Sequence, residues 1–286
     1  MQTESESSPI APITPSPVRD LEYLIEKLIA KYNPLQIFCF HKRVERRAVN
    51  GCFLASVEEE LCNYYLLMVT ESPSRIEHAV QDFANAHYNQ GAVIILVHGK
   101  ESIERSINTG HGFFRQVFKH GQLLYNHDGF FQIHSFSEVT NSLSDEVKKS
   151  RFREGVSRAE GFLLGAQECL ANRKFNVAAF MLHQSVEQCC IALVGFHMDY
   201  RCDIHSLYRL LMLCCCFSDV PYNLFLSNKT NKDPLFSALI ESYLKARYVH
   251  GFVIQEEDLM KLSERCSALL EFTKSRVGAT DFCTVV

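Results

Sequence analysis

Five basic side chains fall within seven residues, at His41, Lys42, Arg43, Arg46 and Arg47. Ammonium and guanidinium groups at that density can hold a phosphate through charge-assisted hydrogen bonds. Lys and Arg are also the ordinary residues of a solvated loop, so the same cluster fits a connection between two strands. A second polar group lies in the C-terminal half, where Gln184 and Glu187 stand about one helical turn apart in a run otherwise rich in Val, Phe, Leu and Cys. A carboxylate placed beside an apolar core must find a partner, and His205, Arg247 or a backbone group can supply it. The alternative is that Glu187 lines a polar site at an interface. The chain has twelve cysteines, none in C-x2-C spacing. Cys189-Cys190 and Cys214-Cys215-Cys216 sit inside apolar runs and read as small buried hydrophobes in a reducing compartment. No metal site is expected, and no Ser-His-Asp or Cys-His pair is marked by its context.

The elements that position these residues follow from composition and periodicity. The 286 residues are 47% hydrophobic and 22% charged, which is ordinary for a globular chain of two domains and excludes a fibrous or wholly disordered protein. A net charge of -4, from 29 basic and 33 acidic residues, argues against a nucleic-acid-coating protein or a polybasic membrane binder. The first 17 residues, rich in Ser, Thr, Glu and Pro, read as a disordered tail with no secretory leader, and no apolar run has the length of a membrane span. A cytoplasmic protein is expected.

Leu21, Leu24, Ile25, Leu28 and Ile29 mark one face of a helix that Pro34 stops. Strand-like runs follow at 35–40, 64–70 and 92–98, with a helix over 74–88 between the last two. A helical stretch around Phe113 to Phe118 and short strands at 123–125 and 130–133 complete the region. From about Ser142 strand signals give way to helices over 145–171, 176–197, 205–217, 234–248 and 255–276, separated by short polar breaks. The predicted fold class is therefore α+β, with a small α/β sheet domain over 18–142 and an all-α bundle over 143–278.

Within the bundle, Ala178, Phe180, Gln184 and Glu187 form an A-x-F-x-x-x-Q-x-x-E run, followed by His205-x-Leu207 and by Ala246-Arg247-Tyr248. The series resembles the HEPN family of small helical domains, over about 130 residues. The resemblance implies a homodimer formed through the bundle, and polar site candidates at Gln184, Glu187, His205, Arg247 and His250. Catalytically active HEPN ribonucleases resemble one another in an R-x4-6-H motif. Here two residues separate Arg247 from His250 and three separate Arg201 from His205, so the motif is absent. The Arg247-Tyr248 and Glu256-Glu257-Asp258-Leu259 segments look like the sacsin C-terminal branch, which implies nucleotide binding or dimerisation in place of cleavage.

The run Ile37 to Arg43, followed by Asn63 to Val69, resembles the minimal nucleotidyltransferases often paired with HEPN domains. Active members have a Gly-Ser pair where this chain has His41-Lys42, and two aspartates where it has Asn63 and Tyr65. An Asn and a phenol cannot replace two carboxylates around Mg2+, so two-metal nucleotidyl transfer is not expected. What the resemblance leaves is a phosphate or nucleotide pocket at His41, Lys42, Arg43, Asn63 and Tyr65. The combined reading is a bacterial, dimeric pseudoenzyme that binds nucleotide or RNA without turning it over, with a bound nucleotide as its only expected cofactor. A HEPN ribonuclease of toxin or defence type and a protein-protein scaffold are the alternatives.

Overall fold

The computed structural model describes residues 17–51, 54–71, 76–127, 145–226 and 233–278. In chain order these form α1 (Pro17–Tyr32), β1 (Gln36–Gly51), β2 (Leu54–Thr70), α2 (Glu77–His87), β3 (Val93–Gly99), α3 (Lys100–Asn108), α4 (Phe113–His120) and β4 (Gln122–Asn126). Helices alone follow: α5 (Asp145–Ala171), α6 (Phe175–Met198), α7 (Leu207–Cys214), α8 (Val220–Phe225), α9 (Pro234–Tyr248) and α10 (Glu256–Gly278). The architecture is α+β, as the periodicities require. The strand candidate at 130–133 and residues 1–16 of the expected 1–17 tail lie outside the described residues; the last residue of that tail, Pro17, instead opens α1 and is buried.

The four strands are ordered β3-β2-β1-β4, with β2 and β3 parallel and the other pairs antiparallel. Leu21, Leu24, Leu28, Ile37, Leu66 and Ile95 belong to one apolar core that α1 and α2 share with the sheet. Gln81 of α2 ties helix to strand as a backbone peptide would: its amide donates to the Val93 carbonyl at 2.6 Å and its oxygen accepts the Ile95 N–H at 3.0 Å. That buried pairing satisfies a polar side chain in the core.

One expectation is corrected here. The sequence places a strand end and a loop after Phe40, yet β1 runs on to Gly51, paired with β2 from Gln36↔Val69 to Gly51↔Leu54. A bulge at Phe40 shifts the register between Cys39 and His41. Beyond it, β1 and β2 continue as a two-stranded ribbon, because β4 pairs only with Gln36 to Cys39 and β3 only with Tyr64 to Thr70. A ribbon with no third strand among the described residues needs no apolar alternation, so its sequence carries no strand signal. The register sets Arg46 opposite Glu60 and Arg47 opposite Glu59.

The chain divides into two compact units, and the division differs from the predicted boundary. Residues 102–120 group with the helices, while 121–127 return to the sheet unit. The reason lies in the contacts of the 112–114 segment: the Phe113 and Phe114 rings meet the Tyr200 ring at 4.7 and 6.4 Å, and the Gly112 N–H donates to Asp199 at 2.7 Å.

In the helical unit α6 is central, packing against α5, α7, α9 and α10. It has the length and hydropathy of a membrane span, but 67% of that stretch is buried inside the unit, which is how a core helix becomes apolar all round. Ser185 Oγ donates to the Ala159 carbonyl and Ser242 Oγ to the Ala179 carbonyl, stitching α6 to α5 and α9. Cys189, Cys190, Cys214 and Cys266 are fully or nearly fully buried, and burial pushes the Cys189 thiol up to about 12. Such thiols pack as small hydrophobes and are poor nucleophiles. The short α8 was not expected, because Pro221 reads as a break; it occupies the first turn, where a proline suits a helix.

Asp233 caps α9, accepting the Leu235 and Phe236 N–H groups on one oxygen and Arg265 of α10 on the other at 3.0 Å. Asp233→Ala is expected to destabilise the helical unit by about 1–2 kcal/mol, mostly the value of an N-cap. Chemical denaturation followed by far-UV circular dichroism checks it; an unchanged midpoint refutes the role given to the cap.

Candidate functional site

Glu187 sits near the middle of α6 with only 3% of its surface exposed. Its carboxylate is partnered in the way its burial requires. His205, in the segment before α7, brings Nδ1 to Oε1 at 3.0 Å, and the Gln184 amide donates to Oε2 at 3.3 Å. His205 thus turns Nδ1 towards the carboxylate, while its ring is 63% exposed to solvent.

A second histidine, His183, lies one turn before Glu187 and is buried. Its Nδ1 is 3.7 Å from Glu187 Oε2, a spacing that by itself would favour an imidazolium. Burial decides against it, aided by the positive field of Arg247, and holds the His183 pKa down at about 3. The Gln184 amide, 3.3 Å from Nδ1, then donates to a neutral ring. The His183 ring stacks on Tyr243 of α9 at 4.8 Å, and the His205 ring lies parallel to the same tyrosine at 6.4 Å.

Arg247 closes the group from the end of α9. Its Nε donates to the Tyr243 carbonyl at 2.7 Å, and its guanidinium lies 4.3 Å from the Tyr243 ring centre, 5.0 Å from Tyr248 and 5.2 Å from Phe180. A cation so flanked by aromatic faces is held in place by cation-π attraction and remains exposed. The assembly gathers a buried carboxylate, an exposed imidazole that the carboxylate orients, and an exposed guanidinium on one tyrosine.

Four of the five predicted bundle residues are therefore brought together: Gln184, Glu187, His205 and Arg247. His250 stands apart, exposed in the turn after α9, with no hydrogen bond to the group among the described residues. Sequence reasoning missed His183 and Tyr243 as members. The i, i+4 relation of His183 to Glu187 and of Tyr243 to Arg247 was the available signal.

The proposed phosphate pocket of the sheet unit is placed differently. Asn63 Oδ1 accepts the Ala92 N–H at 2.8 Å, beside Gly91, whose φ of +137° and distance of 2.4 Å from a would-be Cβ to the Cys62 carbonyl oxygen permit no side chain. Tyr65 is fully buried, its ring 4.9 Å from His41 and 6.2 Å from Phe40. Lys42 lies over the Tyr64 ring at 5.5 Å, and Arg43 pairs with Glu45 at 3.4 Å. Asn63 and Tyr65 are thus engaged within the sheet, while Lys42 is exposed.

Residues 152–276 match the HEPN domain family. The match runs from the early turns of α5 almost to the end of α10, so the Glu187 group lies wholly within the matched residues. No curated protein matches the chain.

The neutral, buried His183 generates a pH dependence. An unfolded chain takes up a proton near pH 6.5 that the folded ring accepts only near 3, so stability is lost as pH falls from about 6.5 towards 3. His197, also held down by burial, acts with the same sign. Thermal midpoints measured across that range are expected to fall with pH less steeply in His183→Gln than in the parent; equal slopes would show that His183 is not the group responsible.

Proposed function

We propose that the protein is a dimeric, non-catalytic RNA- or nucleotide-binding regulator, in which the HEPN domain engages a single strand. The observation that carries this reading is the Arg247 face. An exposed guanidinium flanked by Tyr243 and by Tyr248, the latter 72% exposed, offers a phosphate contact next to aromatic surfaces on which bases stack. In this reading the sheet unit is a nucleotidyltransferase-like domain that has lost its carboxylates, with Asn63 and Tyr65 at their positions, and its part is architectural.

The dimer is supported by Ile240 and Leu244, four residues apart on α9, which stay 40 and 60% exposed. An apolar line of that kind on a helix of a globular unit is ordinarily covered. A second copy placed there would adjoin the Arg247 face. Sedimentation of the full chain is expected to give a dimer, and Leu244→Glu a monomer of unchanged helicity; a parent chain that is monomeric at micromolar concentration removes this part of the reading.

Fluorescence anisotropy with a labelled single-stranded RNA tests the binding reading. Arg247→Ala and Tyr248→Ala are each expected to weaken binding about tenfold, in keeping with roughly 1–3 kcal/mol per stacked base. Wild-type affinity in both variants would refute it. A second reading, HEPN ribonuclease, is favoured by the Glu187–His205 contact, since a carboxylate behind an exposed imidazole is an arrangement suited to general acid-base chemistry beside a phosphate-holding Arg. RNA cleavage by the purified chain that disappears in His205→Ala would establish that reading and overturn the non-catalytic one.

A further inference from the structure

Apart from the Glu187 group, the helical unit holds a cavity of about 340 Å3 at the crossing of α5 and α6. Gly155 lets the two helices approach there, since a Cβ would stand 2.8 Å from the Ala192 methyl, and Gly195 continues the floor along α6. The Phe152 and Phe196 rings, 4.8 Å apart, and the Tyr200 ring give that floor apolar surface. Phe152 and Tyr200 are buried, and Phe196 stays partly exposed.

The charged groups around this floor do not pair with one another. Arg151, Glu154 and Arg158 share one face of α5, with the acid about one turn from each base, a spacing that permits two ion pairs. Neither forms. Glu154 accepts a hydrogen bond from Ser150 Oγ at 3.5 Å, and Arg158 turns across to α6, donating from Nε to Gln188 at 2.9 Å. The Arg158 Nη2 stands 3.9 Å from the Cβ position of Gly155, over the floor. After α6, Arg201 and Asp203 also line the cavity, and among the described residues neither has an ion-pair partner within 4 Å. Asp199 is the contrasting case: it accepts the Gly112 N–H at 2.7 Å and Lys148 at 3.1 Å on Oδ2, with His111 at 3.7 Å from Oδ1. Free charges of both signs therefore face one cavity beside an aromatic floor.

We propose that this cavity binds a free α-amino acid with an aromatic or large apolar side chain. A zwitterion brings both charges that the walls can satisfy. Its carboxylate takes forked donors from Arg158 and Arg201, and its ammonium donates to Glu154 and Asp203. Its side chain lies against Phe152, Phe196 and Tyr200, where it loses water to an apolar surface. The same two acids select against a ligand that is only anionic, because they would stand beside its charge without a cation between them. The size is at the lower end of the roughly 300–1,000 Å3 typical of small-molecule sites, which suits a single amino acid. The inference stands apart from RNA binding at Arg247.

Thermal shift on the full chain with L-phenylalanine, L-tyrosine, L-tryptophan, L-leucine and L-methionine, followed by titration calorimetry, tests the proposal. At least one is expected to raise the midpoint and to bind tenfold or more tightly than its analogues lacking the ammonium or the carboxylate, and than L-alanine. Arg201→Glu, Asp203→Lys and Gly195→Leu should each weaken it tenfold or more. Gly195→Ala, whose methyl group meets nothing closer than the Tyr200 carbonyl oxygen at 3.9 Å, should retain binding in a fold no less stable than the parent and thereby separates filling of the cavity from misfolding. An analogue without the ammonium that binds as tightly as the amino acid would overturn the proposal. So would binding that survives both charge reversals, a nucleoside monophosphate that binds the cavity more tightly, or none of the five amino acids shifting the midpoint.

Discussion

A carboxylate on the central helix of a bundle cannot lose its water without receiving hydrogen bonds in return, and the arrangement around Glu187 follows from that requirement. His205 is drawn to it from the segment before α7, and Gln184 from its own helix. Each partner then acquires a fixed orientation that solvent alone would not impose. The imidazole of His205 has one nitrogen committed and the other exposed, and Gln184 is placed to donate to His183 as well as to Glu187. The polarity of the site is thus a consequence of one buried charge and the groups needed to satisfy it.

The aromatic residues around the charge extend the same constraint. Tyr243 stacks with His183 on its buried side and carries Arg247 on its exposed side. The guanidinium in turn opposes a proton on His183, so a cation at the surface helps to keep a buried ring neutral. Helices α6 and α9 are held in register for this by Ser242, whose hydroxyl reaches the Ala179 carbonyl, and α9 is fixed at its start by Asp233 and Arg265. Polar ties at the start and middle of α9 and apolar packing along α6 leave the outer stripe of α9 as the surface with the least internal use.

A different economy governs the sheet unit. Three of its candidate binding residues are engaged by the sheet: Asn63 completes the backbone hydrogen bonding next to Gly91, Tyr65 fills the core, and His41 packs against it. Where strands are buried on both faces, as Tyr64 to Val69 are, side chains at the edges of the pattern have little freedom to face a ligand. The helices α5 and α6 present the opposite case, because Gly155 lets them approach closely and Gly195 leaves space beside their crossing.

Periodicity by itself determined much of this protein. The 3.6-residue repeat located α5, α6, α9 and α10 to within a few residues, the apolar context of the cysteines marked them as packing groups, and the isolated Glu187 demanded a partner before any partner could be seen. These are local properties, set by side-chain chemistry and spacing along one element. The tertiary structure decided what spacing along the chain could not carry. Arg247 is near His250 and Arg201 near His205 along the chain, yet folding seats Arg247 and His205 about the one ring of Tyr243 and leaves His250 outside. It likewise carried β1 past Phe40, assigned residues 102–120 to the helices and opened the cavity between α5 and α6. The common reason is that each depends on which surfaces meet after the chain collapses, and that choice is made by burial and hydrogen bonding between elements distant in sequence.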